Sequence, residues 1–241
     1  MRHSALLGFA ALAGAATLGA QLDAAPARKA APARQSTAPA RDWTRNVVAT
    51  PEGGFRMGNP AARVKLVEYG SMTCPHCAEF AEQGDEAIKT YVRKGTISFE
   101  FRNYVLNGID VTASLLARCS GTAGFFPMTH RLYSTQSQWV GRISGLSEAQ
   151  KSELRALPER QRLPRLAQVG GLTQVARLHG VTTARANQCL VDDAGITRIN
   201  QIGEAAAALG VDGTPTFFIN GIRADVNTWP EIDQLIRQAG G

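Results

Sequence analysis

The sequence predicts an α/β fold whose sheet core is interrupted by a long helical insertion. Three observations predict it. Residues 64–105 read as strand, helix, strand; residues 110–209 read mainly as helix; and residues 214–238 return to a β hairpin followed by a helix. The length of 241 residues is ample for a substantial hydrophobic core.

The chain opens with Arg2 and His3 before the apolar run "SALLGFAALAGAATLGA". Its Ala and Gly content makes it weakly apolar for a membrane span, so it reads as an export signal over 1–27, with cleavage between residues 20 and 27. An uncleaved anchor is the alternative. No later segment is long and apolar enough for a bilayer, and no cysteine follows the run at a lipid-attachment position. Residues 28–42 form an Ala/Pro-rich linker without apolar periodicity, expected to be a disordered tether. Folded structure is expected from near Trp43. The formal charge of +6 comes largely from residues 1–41, which hold Arg2, Arg28, Lys29, Arg34 and Arg41 against Asp23. The remainder is nearly neutral and lacks a basic stripe with interleaved aromatics, so nucleic acid is not an expected partner.

"VKLVEYG" (64–70) is short, β-branched and bounded by Pro60 and Gly70, as a buried strand should be. A helix is expected from about 74 to 93, on Phe80, Ala81, Ile88 and Tyr91/Val92. In "TISFEFRNYV" (96–105), Ile97, Phe99 and Phe101 alternate with Ser98, Glu100 and Arg102, the mark of a second strand. Helical segments follow, punctuated by Gly and Pro. Within them "EAQKSELRALPERQRLPRL" (148–166) is charged and broken by Pro158 and Pro164, and is expected to be an exposed connection. "TPTFFINGIRA" (214–224) is β again, with Asn220-Gly221 as a two-residue hairpin turn. Thr228 and Glu231 read as a capping box opening a last helix to about 238. The core is therefore expected at 43–107 and 210–241, with the helical insertion and its return helix at 108–209.

Exported chains meet an oxidising compartment, where disulfides persist. The cysteines are Cys74, Cys77, Cys119 and Cys189. Cys74-Pro75-His76-Cys77 stands at the strand-to-helix junction. Thr73 is expected to N-cap the helix and Pro75 to fill its first turn, where no N–H is needed. Cys74 then meets unpaired backbone N–H groups and the positive end of the helix dipole, which favour a thiolate, the nucleophile of disulfide exchange. His76 is expected to add a donor or a positive charge beside the same sulfur. Cys77, one turn on, is the buried resolving thiol. The competing readings fare worse. A disulfide across one turn restrains little, and zinc needs four ligands while Cys119 and Cys189 stand alone in sequence. No metal is expected, and no cofactor beyond the redox-active Cys74–Cys77 disulfide.

"VEYGSMTCPHCAEF" (67–80) resembles the active-site segment of the DsbA-like thiol:disulfide oxidoreductases of the thioredoxin superfamily, and "GVDGTPTFFING" (210–221) resembles that family's second motif. "PMTHRLYSTQSQW" and "VARLHGVTTARANQCLVDD" resemble its helical insertion. The likeness runs in order over about 53–239 and implies a thioredoxin fold with a helical insertion. It also implies an attacking, exposed Cys74, a buried Cys77, a cis Pro215 facing the active-site disulfide, and a Thr214 backbone that pairs with an extended substrate. Glu68, six residues before Cys74, falls where the family often has a buried acid and would relay the Cys77 proton; an acid exposed on an edge strand is the alternative. Glu79 and Glu82 are not carried over as catalytic.

The expected function is donation of the Cys74–Cys77 disulfide to reduced, folding exported proteins in the periplasm, with reoxidation by a quinone-linked membrane partner. An isomerase or reductase on the same fold is the runner-up; residues 42–52 leave no room for the N-terminal dimerisation domain such isomerases usually carry. A client-binding holdase with an incidental disulfide is the rival from another class. Cys119 and Cys189 are expected to pair as a second, structural disulfide, two buried free thiols being the alternative. His130 and His179 read as satisfied surface or core residues. Phe125, Phe126 and Met128 form either core or an apolar rim beside the site, core being the simpler account.

Overall fold

The computed structural model describes residues 41–241. The expected export signal (1–27) and nearly all of the expected linker (28–42) lie outside the described residues. A short 3-10 turn, Trp43–Arg45, leads into β1 (Val47–Ala49) and β2 (Phe55–Gly58). Then come β3 (Val64–Gly70), α1 (Pro75–Lys94) and β4 (Ile97–Asn103). The helices α2 (Gly108–Cys119), α3 (Gly121–Ser134), α4 (Gln136–Ser144), α5 (Glu148–Ala156), α6 (Glu159–Gly170), α7 (Leu172–Leu178), α8 (Thr183–Leu190) and α9 (Asp193–Ala208) follow. The chain closes with β5 (Thr216–Ile219), β6 (Ile222–Arg223) and α10 (Trp229–Gln238).

The strands form one mixed sheet in the order β1-β2-β4-β3-β5-β6. β3 and β4 are parallel, joined by α1 as a βαβ unit, and the other pairings are antiparallel. β3 is central, with Glu68 opposite Phe101 of β4 and Phe217 of β5. The acid is therefore not on an edge strand. Leu66 and Glu68 share the face covered by α1 and α3. There Phe55 stacks on Phe125 with ring centroids 4.0 Å apart, Phe101 approaches Phe125 and Tyr133, and Phe80 of α1 packs on Phe217 at 4.3 Å. Phe125 and Met128 are wholly buried, so these residues are core, not a rim. On the opposite face Tyr69 and Phe218 pack with Ile202 and Ala206 of α9.

β4 is the strand its alternation marks, and Ser98 and Glu100 are buried along with its apolar residues; Glu100 accepts from the Thr50 hydroxyl and the Arg102 guanidinium, both at 2.7 Å. Two expectations are corrected. Residues 148–166 are not an exposed connection but α5 and most of α6, with Leu154, Leu163 and Leu166 buried. Pro158 stands at the N-cap of α6, where a missing N–H costs nothing, and only Pro164 lies inside the helix. Thr228 is the N-cap of α10 but makes no bond to the backbone; its hydroxyl donates to Glu231 Oε2 at 2.5 Å, so the box closes side chain to side chain. The hairpin turn has positive φ at both Asn220 (52°) and Gly221 (85°), the requirement of a type I′ turn.

Candidate active site

Helix α1 begins at Pro75, and Cys74 is its N-cap in extended conformation, with no side-chain cap bond. Thr73 is therefore not the cap. Its N–H is taken by Ser71 Oγ at 3.1 Å, and its hydroxyl meets Ser71 Oγ and Asn107 Nδ2, each at 3.1 Å. The shift by one residue places the Cys74 sulfur itself where a capping oxygen would stand, before the free N–H groups of the first turn.

Cys74 is not an exposed cysteine: only 6% of it is accessible. The segment before β5 covers it. The Thr214–Pro215 peptide bond is cis, and the Cys74 thiol donates to the Thr214 carbonyl at 3.2 Å. Cys77 is completely buried one turn on, and the two are unbonded thiols here.

The two sulfurs are driven apart electrostatically. The Cys74 pKa is lowered to about 5, chiefly because the Cys77 thiol donates to its thiolate; the Thr214 side chain and the N–H groups of Cys77 and His76 add to this, against the cost of burial. Burial pushes Cys77 well above the ordinary thiol range, and its bond to Cys74 and the nearby Glu68 push the same way. Glu68 is only 3% exposed, with Oε1 unpartnered among the described residues. Burial raises its pKa well above the carboxylate range, with Asp85 and Cys74 adding to it.

His76 does not aim its ring at the sulfur. The ring is exposed and lies 3.7 Å from Glu79, while its backbone N–H supports Cys74. His130 pairs with Asp85 at 2.7 Å. Cys119 and Cys189 are joined, linking the end of α2 to α8. A cleft of roughly 450 Å³ runs beside the site between α1 and the α3–α4 region, lined by Pro75, Ala78, Glu79, Tyr133 and Gln136 among others. Among the described residues no cluster of His, Cys, Asp or Glu could hold a metal ion.

Two polar residues at the site escaped sequence reasoning. Asp110 of α2 and Gln136 of α4 are buried and bond the loop before Cys74. In sequence Asp110 looks like an ordinary acid in the first turn of a helix, and Gln136 like one of several surface polars. The one signal available was that Asp110 stands between the apolar Ile109 and Val111; Gln136 lies in the polar run Ser134–Gln138 and carried none.

A family model described as thioredoxin matches residues 50–238. A Rickettsia typhi protein provisionally named a protein-disulfide oxidoreductase is 27% identical over 189 residues, which is 76% of this chain and 60% of that protein. The chain thus spans about 60% of the length of the first curated relatives it matches. A crystal structure of protein-disulfide isomerase from Novosphingobium aromaticivorans superposes with a TM-score of 0.72 at 28% identity, covering 77% of this chain and 97% of that one. Wolbachia pipientis alpha-DsbA1 superposes with a TM-score of 0.62 at 21% identity, over 76% and 89% of the two chains, a likeness of fold. With a parallel β3–α1–β4 unit, a cysteine pair at the start of α1 and a cis proline across from it, the chain belongs to the thioredoxin superfamily and has the DsbA-like form of its fold, a sheet core with a helical insertion.

Proposed function

We propose that this chain is an exported thiol:disulfide oxidoreductase that donates the Cys74–Cys77 disulfide to reduced, folding proteins. The observation that carries the reading is the divergence of the two sulfurs: Cys74 stable as a thiolate, Cys77 stable as a thiol, one turn apart. A client thiolate attacks Cys74 of the disulfide. The S–S bond breaks, and Cys77 leaves with the electron pair and takes up a proton, for which Glu68, its pKa raised by burial, is the nearby acid. A second client thiolate then attacks the client sulfur of the mixed disulfide. Cys74 departs as a thiolate, and a low-pKa thiol is a good leaving group. The client dithiol is oxidised by two electrons and the Cys74–Cys77 pair reduced by two. Stabilising the reduced form makes the disulfide the stronger oxidant. The names of the relatives, oxidoreductase and isomerase, agree with disulfide exchange as the chemistry. Export rests on the Arg2-His3 apolar leader, and reoxidation is assigned to a membrane redox partner.

Trapping tests the roles. In Cys77→Ala the Cys74 thiolate can still attack a client disulfide, expelling one client thiolate, but no Cys77 thiol remains to displace the bound client sulfur, so mixed disulfides with exported proteins accumulate and vanish on reduction. Trapping by Cys74→Ala instead would reverse the roles. A reduced dithiol peptide should be oxidised stoichiometrically by the disulfide form; repair of scrambled disulfides without net oxidation would favour the isomerase reading.

A further inference from the structure

Residues 71–74 join the central strand to the redox helix, and two side chains from the helical insertion grip them from opposite sides. The Asp110 carboxylate accepts four bonds: from the Ser71 hydroxyl at 2.5 Å, the Met72 N–H at 2.9 Å, the Leu106 N–H at 3.0 Å and the Ser114 hydroxyl at 3.2 Å. The Gln136 side-chain amide donates to the Met72 carbonyl at 2.9 Å and the Cys74 carbonyl at 2.8 Å. Both ends of the Met72 residue are thus held by buried polar groups, and Met72 and Asp110 have no accessible surface. Behind the carboxylate the network continues: Asn103 Nδ2 donates to Ser114 Oγ at 3.1 Å, and Arg118 Nη1 donates to Asn103 Oδ1 at 3.2 Å.

Burying a carboxylate is costly and is repaid only with full pairing, so an apolar side chain would fill this place more cheaply. What the polar pair supplies is fixed orientation of one short segment. That segment sets how the first N–H groups of α1 face Cys74 and how the Ser71 N–H faces Cys77. Resting on the disulfide-donor reading above, we propose that Asp110 and Gln136 are positioning residues of the redox centre. They form a clamp through which the helical insertion sets the thiolate preference of Cys74 and thereby the oxidising strength of the pair.

The test uses the full chain with Asp110→Asn, Gln136→Leu and a comparison variant, Leu163→Ala, buried in α6 and outside the redox loop. Three quantities are read: Tm, thiolate absorbance of Cys74 against pH, and the Cys74–Cys77 equilibrium with glutathione. The clamp variants should raise the Cys74 midpoint by about one unit and move the glutathione equilibrium about tenfold toward the disulfide, whereas Leu163→Ala should lower Tm alone. Clamp variants that lose Tm as Leu163→Ala does, while titrating and equilibrating like wild type, would overturn the proposal. Should Asp110→Asn fail to fold, Gln136→Leu decides on the same readouts. If wild type does not exchange with glutathione yet the clamp variants move the Cys74 titration, the functional reading fails and the clamp stands.

Discussion

At the scale of single residues, two thiols four positions apart, counted inclusively, acquire opposite character from their neighbours alone. Cys74 gains donors to its anion, while Cys77 gains little but burial and nearby negative charge. The causes rank the substitutions. Cys77→Ala should raise the Cys74 pKa most and Thr214→Val less. His76→Ala should raise it least, because the ring faces Glu79 and the supporting N–H survives the change; thiolate absorbance against pH orders the three. The same shift is a stability statement. The folded Cys74 value of about 5 lies below the ordinary 9.0, so its contribution is full above pH 9 and is lost as pH falls through 5. For fully reduced protein, the difference in unfolding free energy between wild type and Cys74→Ser should widen from pH 5 to pH 8, by at most about 1.4 kcal/mol per pH unit and less after solvent screening. Glu68 has the opposite sign. Its raised folded pKa gives a contribution present below 4.5 that is lost as pH rises through the folded value, so Glu68→Gln should gain stability relative to wild type in alkaline denaturant titrations. Cys74 and Cys77 were legible from their spacing at a strand-to-helix junction, and the cis Pro215 from the family resemblance. The partners of Asp110 and Gln136 were not, since contacts some 40 to 60 positions away decide them; nor was the direction of the His76 ring, which turns to Glu79 on its own helix.

At the scale of elements, the strongly periodic pieces were legible: β3, α1, β4, the β5–β6 hairpin and α10 fall within a few residues of their expected bounds. β1 and β2 were missed, being three and four residues long and too short to show a period. Residues 148–166 were misread because surface charge masked a sparse stripe of leucines. That correction has a cost attached: Leu163, 1% exposed, should lose about 2–5 kcal/mol on truncation to Ala, measured by denaturant unfolding; a loss under 0.5 kcal/mol would restore the exposed-connection reading. Gly84 is a second test of packing. On propensity alone Gly84→Ala in mid-helix should gain about 1 kcal/mol. A Cβ there would stand 2.6 Å from the Trp229 ring, itself backed by Phe80 at 5.9 Å. The clash outweighs the propensity, so the variant should be less stable than wild type where α1 meets α10.

At the scale of the whole molecule, the sheet brings together what the sequence keeps 140 positions apart, placing the Thr214–Pro215 segment beside Cys74 because β5 pairs with β3. The parallel crossover was legible in the strand–helix–strand pattern of residues 64–105, but the insertion of a later strand beside β3 is a topological fact that no window of sequence contains, and the family likeness supplied that expectation. The Cys119–Cys189 link closes a loop of 70 residues within the insertion. In the chain-entropy model it is worth about 4 kcal/mol, so Cys119→Ala with Cys189→Ala should lower the unfolding free energy by an amount of that order, and alkylation of denatured, unreduced wild type should find neither thiol free. The insertion so stapled carries Asp110 and Gln136 to the redox loop, which makes the core and insertion one device for setting the strength of the disulfide. The equilibrium of the Cys74–Cys77 pair with glutathione reads that strength most directly. The account predicts a strongly oxidising pair, at or above roughly −180 mV, reduced by glutathione mixtures that leave a structural disulfide intact; a value near about −270 mV, where thioredoxin-type reductants lie, would contradict it.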